Sequence, residues 1–187
     1  MWGPGRKELD TIAARAGCRV TATSELPGGR RAYDVSCRSG PARVRLLVEL
    51  ARADAMTPQV RRIAEAVAGA VGGGERETAA ALHKLVRDGV RFARERRETF
   101  SPTMWTLAIG IGDCDDSARA LAALLWSIGY RVRFATLGDP ATHVAAQVKL
   151  AGRWHWAETT LAAQLGEHPI AAARRLRAAR GDIYAAE

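Results

Sequence analysis

The sequence predicts a fold that combines helices with antiparallel strands, and three observations point to it. Strand-like alternation comes in neighbouring runs, over Cys18–Cys37 and again over Tyr130–Thr159. Helical apolar stripes fill the stretches between those runs, so strands and helices are segregated along the chain. The chain has 187 residues, of which 48% are hydrophobic, enough for one compact domain with a substantial core.

Residues 1–16 read as a loose start with a short helix. Cys18 to Glu25 and Arg31 to Cys37 alternate like strands, and Leu26-Pro27-Gly28-Gly29-Arg30 between them is a turn signal. A hairpin centred there sets Cys18 opposite Cys37, Val20 opposite Val35 and Ala22 opposite Tyr33, all six on one face. Two buried thiols are the expected state of Cys18 and Cys37, with a disulfide as the second option. Ser39-Gly40-Pro41 reads as a further turn, and Val44 to Leu50 as a third strand.

Thr57-Pro58 announces a helix, with threonine as cap and proline at its first position. Val60, Ile63, Ala64, Val67, Ala70 and Val71 give it an apolar stripe, and Gly72-Gly73-Gly74 stops it. Glu75 to Phe92 is a second helix, with Ala79, Leu82, Leu85, Val86 and Val90 facing a core. The charges from Arg91 to Glu98 read as a solvated face. Leu107 to Ile111 reads as an apolar connection into the segment that starts at Cys114.

That segment, Arg119 to Ile128, is an alanine- and leucine-rich helix closed by Gly129. Gly112-Asp113 before it suits a turn and a cap, which places Cys114 in the first helical turn. The helix end offers unpaired amides and positive potential, both favourable to a thiolate. Asp113, Asp115 and Asp116 oppose that charge, so a histidine imidazolium is the expected counterweight. Tyr130 to Thr136 is a strand, Gly138-Asp139-Pro140 a turn, and His143 to Leu150 the next strand. Ala151-Gly152 turns the chain into Arg153 to Thr159. Pairing across that turn puts Glu158 opposite Ala145, diagonal to His143 and within carboxylate reach. Cys114, His143 and Glu158 in this order are what nucleophilic acyl chemistry uses. The Cys114 amide is the expected oxyanion donor, with a second from the segment around Trp105. Trp105, Trp126, Trp154 and Trp156 are cleft candidates, with core packing the default for each. His83, within a helix, and His168, before a proline, read as incidental, and His155 as a lesser candidate.

These residues carry a family resemblance. Gly112-Asp113-Cys114-Asp115-Asp116-Ser117-Ala118, then Gly129-Tyr130-Arg131-Val132-Arg133, His143-Val144 and Gly152 to Thr160 resemble the transglutaminase-like cysteine-protease superfamily. Its bacterial and phage-type members are closest in pattern. The resemblance covers roughly residues 75–165. The family usually carries aspartate where this chain has Glu158. What the resemblance implies is an α+β domain with a papain/transglutaminase-like core, its nucleophile helix packed on an antiparallel sheet; the N-terminal hairpin lies outside the resemblance, as an extension. The chain is expected to divide as 1–50, a small antiparallel β unit; 51–74, a helical connector; and 75–187, a transglutaminase-like catalytic core with a basic helix from Pro169 to Arg180. The function expected is a thiol-dependent acyl-transfer enzyme on peptide or side-chain amides, with hydrolysis (peptidase, amidase or deamidase) favoured over crosslinking because no stretch announces an amine site that excludes water. The alternative is a catalytically inactive transglutaminase-like binding or assembly module.

Composition bounds the partners. The net charge of +8 is nearly all arginine, since Lys7, Lys84 and Lys149 are the only lysines. It admits nucleic acid through Arg174, Arg175, Arg177 and Arg180, but no recognition motif supports that. The expected partner is a protein or peptide substrate. No apolar run is long enough to span a membrane, and no signal peptide is evident at Met1–Lys7, so the cytoplasm is the expected compartment. No cofactor and no metal are expected; neither the cysteine spacing nor any oxygen-ligand loop matches a metal site. The oligomeric state is not set by the sequence.

Overall fold

A computed structural model describes residues 5–26, 30–93, 99–138 and 142–184. It is an α+β fold, a helix-bundle core packed against antiparallel strands with a β-hairpin near the N-terminus. In chain order the elements are α1 (Arg6–Ala16), β1 (Cys18–Leu26), β2 (Arg30–Cys37), α2 (Gly40–Ala55), α3 (Pro58–Ala70), α4 (Glu75–Gly89), β3 (Arg91–Phe92), α5 (Thr103–Ile109), β4 (Ile111–Gly112), α6 (Cys114–Ser127), β5 (Arg131–Leu137), β6 (His143–Leu150), β7 (Arg153–Ala157) and α7 (Pro169–Tyr184).

The centre is α6. Every residue from Asp115 to Leu125 is buried. Alanines at 118, 120, 122 and 123 leave little side chain between this helix and its neighbours, so α2, α3, α4, α5 and the sheet all approach it. The sheet has the order β5-β6-β7, antiparallel throughout, and β6 lies in the middle with Val144 to Val148 buried. The β6–β7 register, Ala146 opposite Ala157 through Leu150 opposite Arg153, follows the tight turn at Ala151-Gly152, where both residues have positive φ.

The N-terminal hairpin differs from the expected one in three respects. Cys18 does face Cys37, and Val20 faces Val35, but the register shifts between Val20 and Ala22, which pairs with Asp34 rather than Tyr33. A bulge of this kind reverses the alternation beyond it, so the six residues do not share one face. Cys18 and Cys37 are joined as a disulfide, S–S 2.07 Å, not held as two thiols. The expected third strand is helix α2. Ser39 caps it by accepting from the Ala42 amide, and Pro41 sits in its first turn. Its buried residues, Ala42, Leu46, Leu47, Leu50, Ala51, Asp54 and Ala55, recur every three to four positions, a helical period.

Helix α2 also serves two cores. Its Leu46 and Leu50 pack with Leu9, Ile12, Ala13 and Cys18, while its Ala51 and Ala55 belong to the main cluster around α6. The expected boundary at residue 50 therefore falls inside one continuous helix. Asp54 fixes this helix to the centre. Arg119 of α6 donates from Nε (2.8 Å) and Nη2 (2.9 Å) to the two Asp54 oxygens, and from Nη1 to Phe100 O (3.0 Å). Asp54 also accepts from the Thr103 amide at the start of α5, 2.8 Å.

Smaller differences have local causes. Thr57 stands at the N-cap of α3 with Pro58 next to it, as expected, but its side chain makes no capping bond; its hydroxyl donates to Asp54 O at 2.7 Å. The second expected helix stops at Gly89, because Arg91-Phe92 pairs in parallel with Ile111-Gly112. The apolar connection before Cys114 is mostly helix α5, ended by Gly110 at φ +62. The expected turn at Pro27–Gly29, most of the turn at Gly138–Pro140 and the charges at Arg94–Glu98 lie outside the described residues.

Candidate functional site

The loop before α6 is built by three local constraints. Gly112 pairs with Phe92, and its carbonyl accepts from the Ala93 amide at 3.0 Å. A Cβ on Gly112 would stand 2.8 Å from Asp116 Cβ and 3.2 Å from Thr106 Cγ2, closer than side chains pack, so only glycine fits. Asp113 then caps α6, its Oδ1 accepting from Asp115 N (3.0 Å) and Asp116 N (3.4 Å). These constraints put Cys114 at the first helical position, half-buried and free.

His143 opens β6, and Glu158 follows β7 directly. Glu158 is fully buried, at 0% exposure. Its Oε2 lies 2.6 Å from His143 Nε2, and its Oε1 accepts from the Thr160 amide (2.6 Å) and hydroxyl (2.7 Å). The imidazole is also hydrogen-bonded to Cys114. The structure therefore brings Cys114, His143 and Glu158 into one hydrogen-bonded row. The Cys114 and Glu158 hydrogen bonds raise the His143 pKa to about 10, against a smaller opposing effect of burial. Burial alone would push the Glu158 carboxyl up, but His143 and Thr160 together hold it below the ordinary range.

His83 is the residue that sequence reasoning missed. It is buried on α4, with Nε2 2.5 Å from Glu158 O. Burial lowers its pKa, so the ring is neutral and donates to that carbonyl. The signal was present: 79, 82, 83 and 86 form one helical stripe, and an imidazole on such a stripe faces the core. His168, also set aside, accepts from the Ile170 amide at 3.1 Å and meets Trp156 edge-on, so it starts α7.

The tryptophan candidates part company. Trp105 lies half-buried on α5, which packs against α6. Trp154 is opposite Lys149, six strand positions from His143, or roughly 20 Å at strand rise, and its ring lies under Arg133 at 4.4 Å. It does not line a cleft at Cys114. The arginine stripe on α7 is also altered. Arg175 is tied to Glu167 and to Ala162 O, leaving Arg174 and Arg177 exposed; the Arg180 side chain lies outside the described residues.

Asp113, Asp115 and Asp116 present carboxylate oxygens within 4.8 Å of one another. Two of the three are committed to the fold. Asp113 caps the helix, and Asp116 accepts from Ser101 N at 2.7 Å. Burial, with Asp113 and the neighbouring charges, pushes the Asp115 carboxyl up to about 11, which keeps it protonated at neutral pH, and its Oδ1 is buried without a hydrogen-bond partner among the described residues. A protonated acid is a donor and a poor cation ligand.

The expectation of a thiol-dependent acyl-transfer enzyme, with a free thiol nucleophile in a catalytic triad, is corrected. Two of the three cysteines are paired at disulfide distance, Cys18 with Cys37. A formed disulfide marks an oxidising setting, and an accessible lone thiolate is readily oxidised there. That argues against a free catalytic thiol. Cys114 itself stays outside the bond, so it is the redox setting that speaks against thiol turnover. Among the described residues no helix is long and apolar enough to cross a membrane.

A model of the transglutaminase-like superfamily matches residues 61–159. Among solved structures, the chain is similar to a "putative cysteine protease" from Cytophaga hutchinsonii, at 17% identity over 55% of this chain and 38% of that one, TM-score 0.45. It is also similar to a TGase, at 12% identity over 82% of this chain and 47% of that one, TM-score 0.42. The chain thus spans less than half the length of either solved structure. No curated protein matches it.

Proposed function

We propose, since this chain belongs to the transglutaminase-like superfamily, that it is a binding or assembly module that keeps the family fold without turnover. The observation that carries this reading is the fixed His143–Glu158 pair. Glu158 is 0% exposed and its oxygens are held by His143 and Thr160. Hydrogen bonds with Cys114 and Glu158 raise the His143 pKa to about 10. Held in this way, the pair is a fixed polar feature that a partner can recognise. The Cys18–Cys37 disulfide points the same way. A fold alone carries no activity.

The partner is a protein or peptide. The disulfide points away from the cytoplasm that the sequence leads one to expect, and the oxidation state of Cys18 in the producing cell decides between the two. The test is turnover by the full chain. Glutamine-containing peptides are incubated with the protein, with and without a primary amine, and ammonia release and amine incorporation are followed. The expected result is no signal above that of Cys114→Ala. Turnover that Cys114→Ala abolishes would overturn the reading.

A further inference from the structure

A cavity of about 300 Å³ lies beside the Glu158 end of the hydrogen-bonded row, between the end of α4, strand β3 and the segment after β7. Arg87, Val90, Arg91, Thr160, Leu161 and Gln164 line it, with Asp88 and Phe92. Its volume is at the low end for ligand sites, enough for one or two side chains rather than a cofactor. The wall next to the row is Thr160, whose amide and hydroxyl both go to Glu158. The opposite wall is β3, joined to Gly112 and so to the Cys114 loop.

The polar groups in this cavity fall into two kinds. Some are spent. Arg87 donates from Nε to Asp88 (2.7 Å) and from Nη1 to Ala163 O (2.7 Å), and Asp88 is also paired with Lys84. Others are not. Among the described residues the Arg91 guanidinium has no hydrogen bond or ion pair, and the Gln164 carboxamide has none either. Apolar surface adjoins them: Val90 is buried at the base, and Phe92 is 47% exposed, unusual for a phenylalanine. Two arginines against one aspartate leave the lining at one net positive charge. That balance matches a carboxylate, which a guanidinium holds bidentately. A phosphate dianion would exceed it and meet Asp88.

We infer that this cavity is a binding pocket for an acidic side chain flanked by an apolar residue on a peptide segment of a protein partner, with Arg91 and Gln164 holding the carboxylate and Phe92 and Leu161 covering the neighbour. This names the partner chemistry for the module reading above and rests on it for the identification of the partner as a protein. A segment seated here runs along Thr160–Ala162, next to the His143–Glu158 pair.

The test uses the full chain, isotope-labelled for NMR, and three probes: an acetylated, amidated leucine–glutamate peptide, the same peptide with glutamine in place of glutamate, and inorganic phosphate. The expected result is millimolar binding of the glutamate peptide, with shifts at the amides of Thr159 to Gln164 and of Arg91. Arg91→Ala should weaken it by roughly tenfold or more, within the range for a lost charge-assisted contact. Arg91→Lys should restore part of it, and Gln164→Ala should weaken it less. Equal binding of the glutamine peptide, affinity unchanged by Arg91→Ala, or no shifts in this segment would each overturn the pocket. Tighter binding of phosphate than of the glutamate peptide would overturn the carboxylate assignment. Ammonia release in the same samples reports separately on turnover, so failure of the pocket and failure of the module reading are told apart.

Discussion

Replacing Asp54 with alanine removes the anion that neutralises Arg119 inside the protein. Arg119 has 1% of its side chain exposed and Asp54 has 4%, so no solvent takes over. Three donors lose their acceptor at once: Nε and Nη2 of Arg119 and the amide of Thr103. Breaking a buried pair by removing one partner costs about 3–5 kcal/mol. The orphaned Thr103 amide, on a residue at 0% exposure, adds about 1–3 kcal/mol. The expected loss is then about 4–8 kcal/mol, a large part of the roughly 5–15 kcal/mol available to a domain. Urea unfolding followed by tryptophan fluorescence reads it, as a midpoint drop of about 2 M or more at a slope of roughly 2 kcal/mol per M. Asp54→Asn, which keeps one acceptor oxygen, should lose less. The double variant Asp54→Leu with Arg119→Met should also lose less than Asp54→Ala alone, because it leaves no buried charge. A loss under about 1 kcal/mol for Asp54→Ala, or a double variant less stable than the single one, would refute the reasoning.

Two further outcomes follow from the same structure. Reducing the Cys18–Cys37 bond opens a loop of 19 residues, which by chain entropy costs about 3 kcal/mol at 25 °C; urea midpoints with and without reductant measure it, and Cys37→Ser should reproduce it, whereas unchanged midpoints would show that the packing of α1 and α2 suffices. His143 has its folded pKa raised to about 10 from 6.5, so its contribution is complete below about pH 6.5 and is lost as pH rises through about 10. Urea midpoints should therefore fall across that window in the wild type. They should fall less in His143→Gln, and the slope should shrink in Cys114→Ala, since the Cys114 hydrogen bond is the larger cause of the shift. Parallel profiles for the wild type and His143→Gln would refute the linkage.

What could be read from the sequence was what local chemistry decides. Asp113 before an apolar run gave the start of α6, and Ala151-Gly152 gave the β6–β7 register that leaves Glu158 beside His143. What could not be read depended on distant partners. Val44 to Leu50 alternates well enough for a strand, and only the burial of Leu46, Leu47 and Leu50 against two cores selects the helical period. Ser39-Gly40-Pro41 fits a turn or a helix start equally well until Ser39 is seen accepting from Ala42. The β1 bulge has no marker in the residues that make it. Nor does any local feature say that the carbonyl bonded to His83 belongs to Glu158, 75 residues away. The oxidised Cys18–Cys37 pair was misjudged for another reason: the register placed the two side by side, but the expected compartment argued for thiols.

Helix α2 must wait for its neighbour. Arg119 comes 65 residues after Asp54 in the chain. A ribosome adding roughly 5–20 residues per second takes about 3–13 s to make that stretch. Through that interval Asp54 has no counter-charge, and the side of α2 that will bear on α6 stays wet. The opposite side, with Leu46 and Leu50, already has Leu9, Ile12 and Cys18 to cover it. Early closure of the N-terminal hairpin and its disulfide would therefore shield half of this helix from other nascent chains while the rest is synthesised. The same lag makes the α2–α6 contact a late event, so it should govern how long the newly made protein remains vulnerable to proteases.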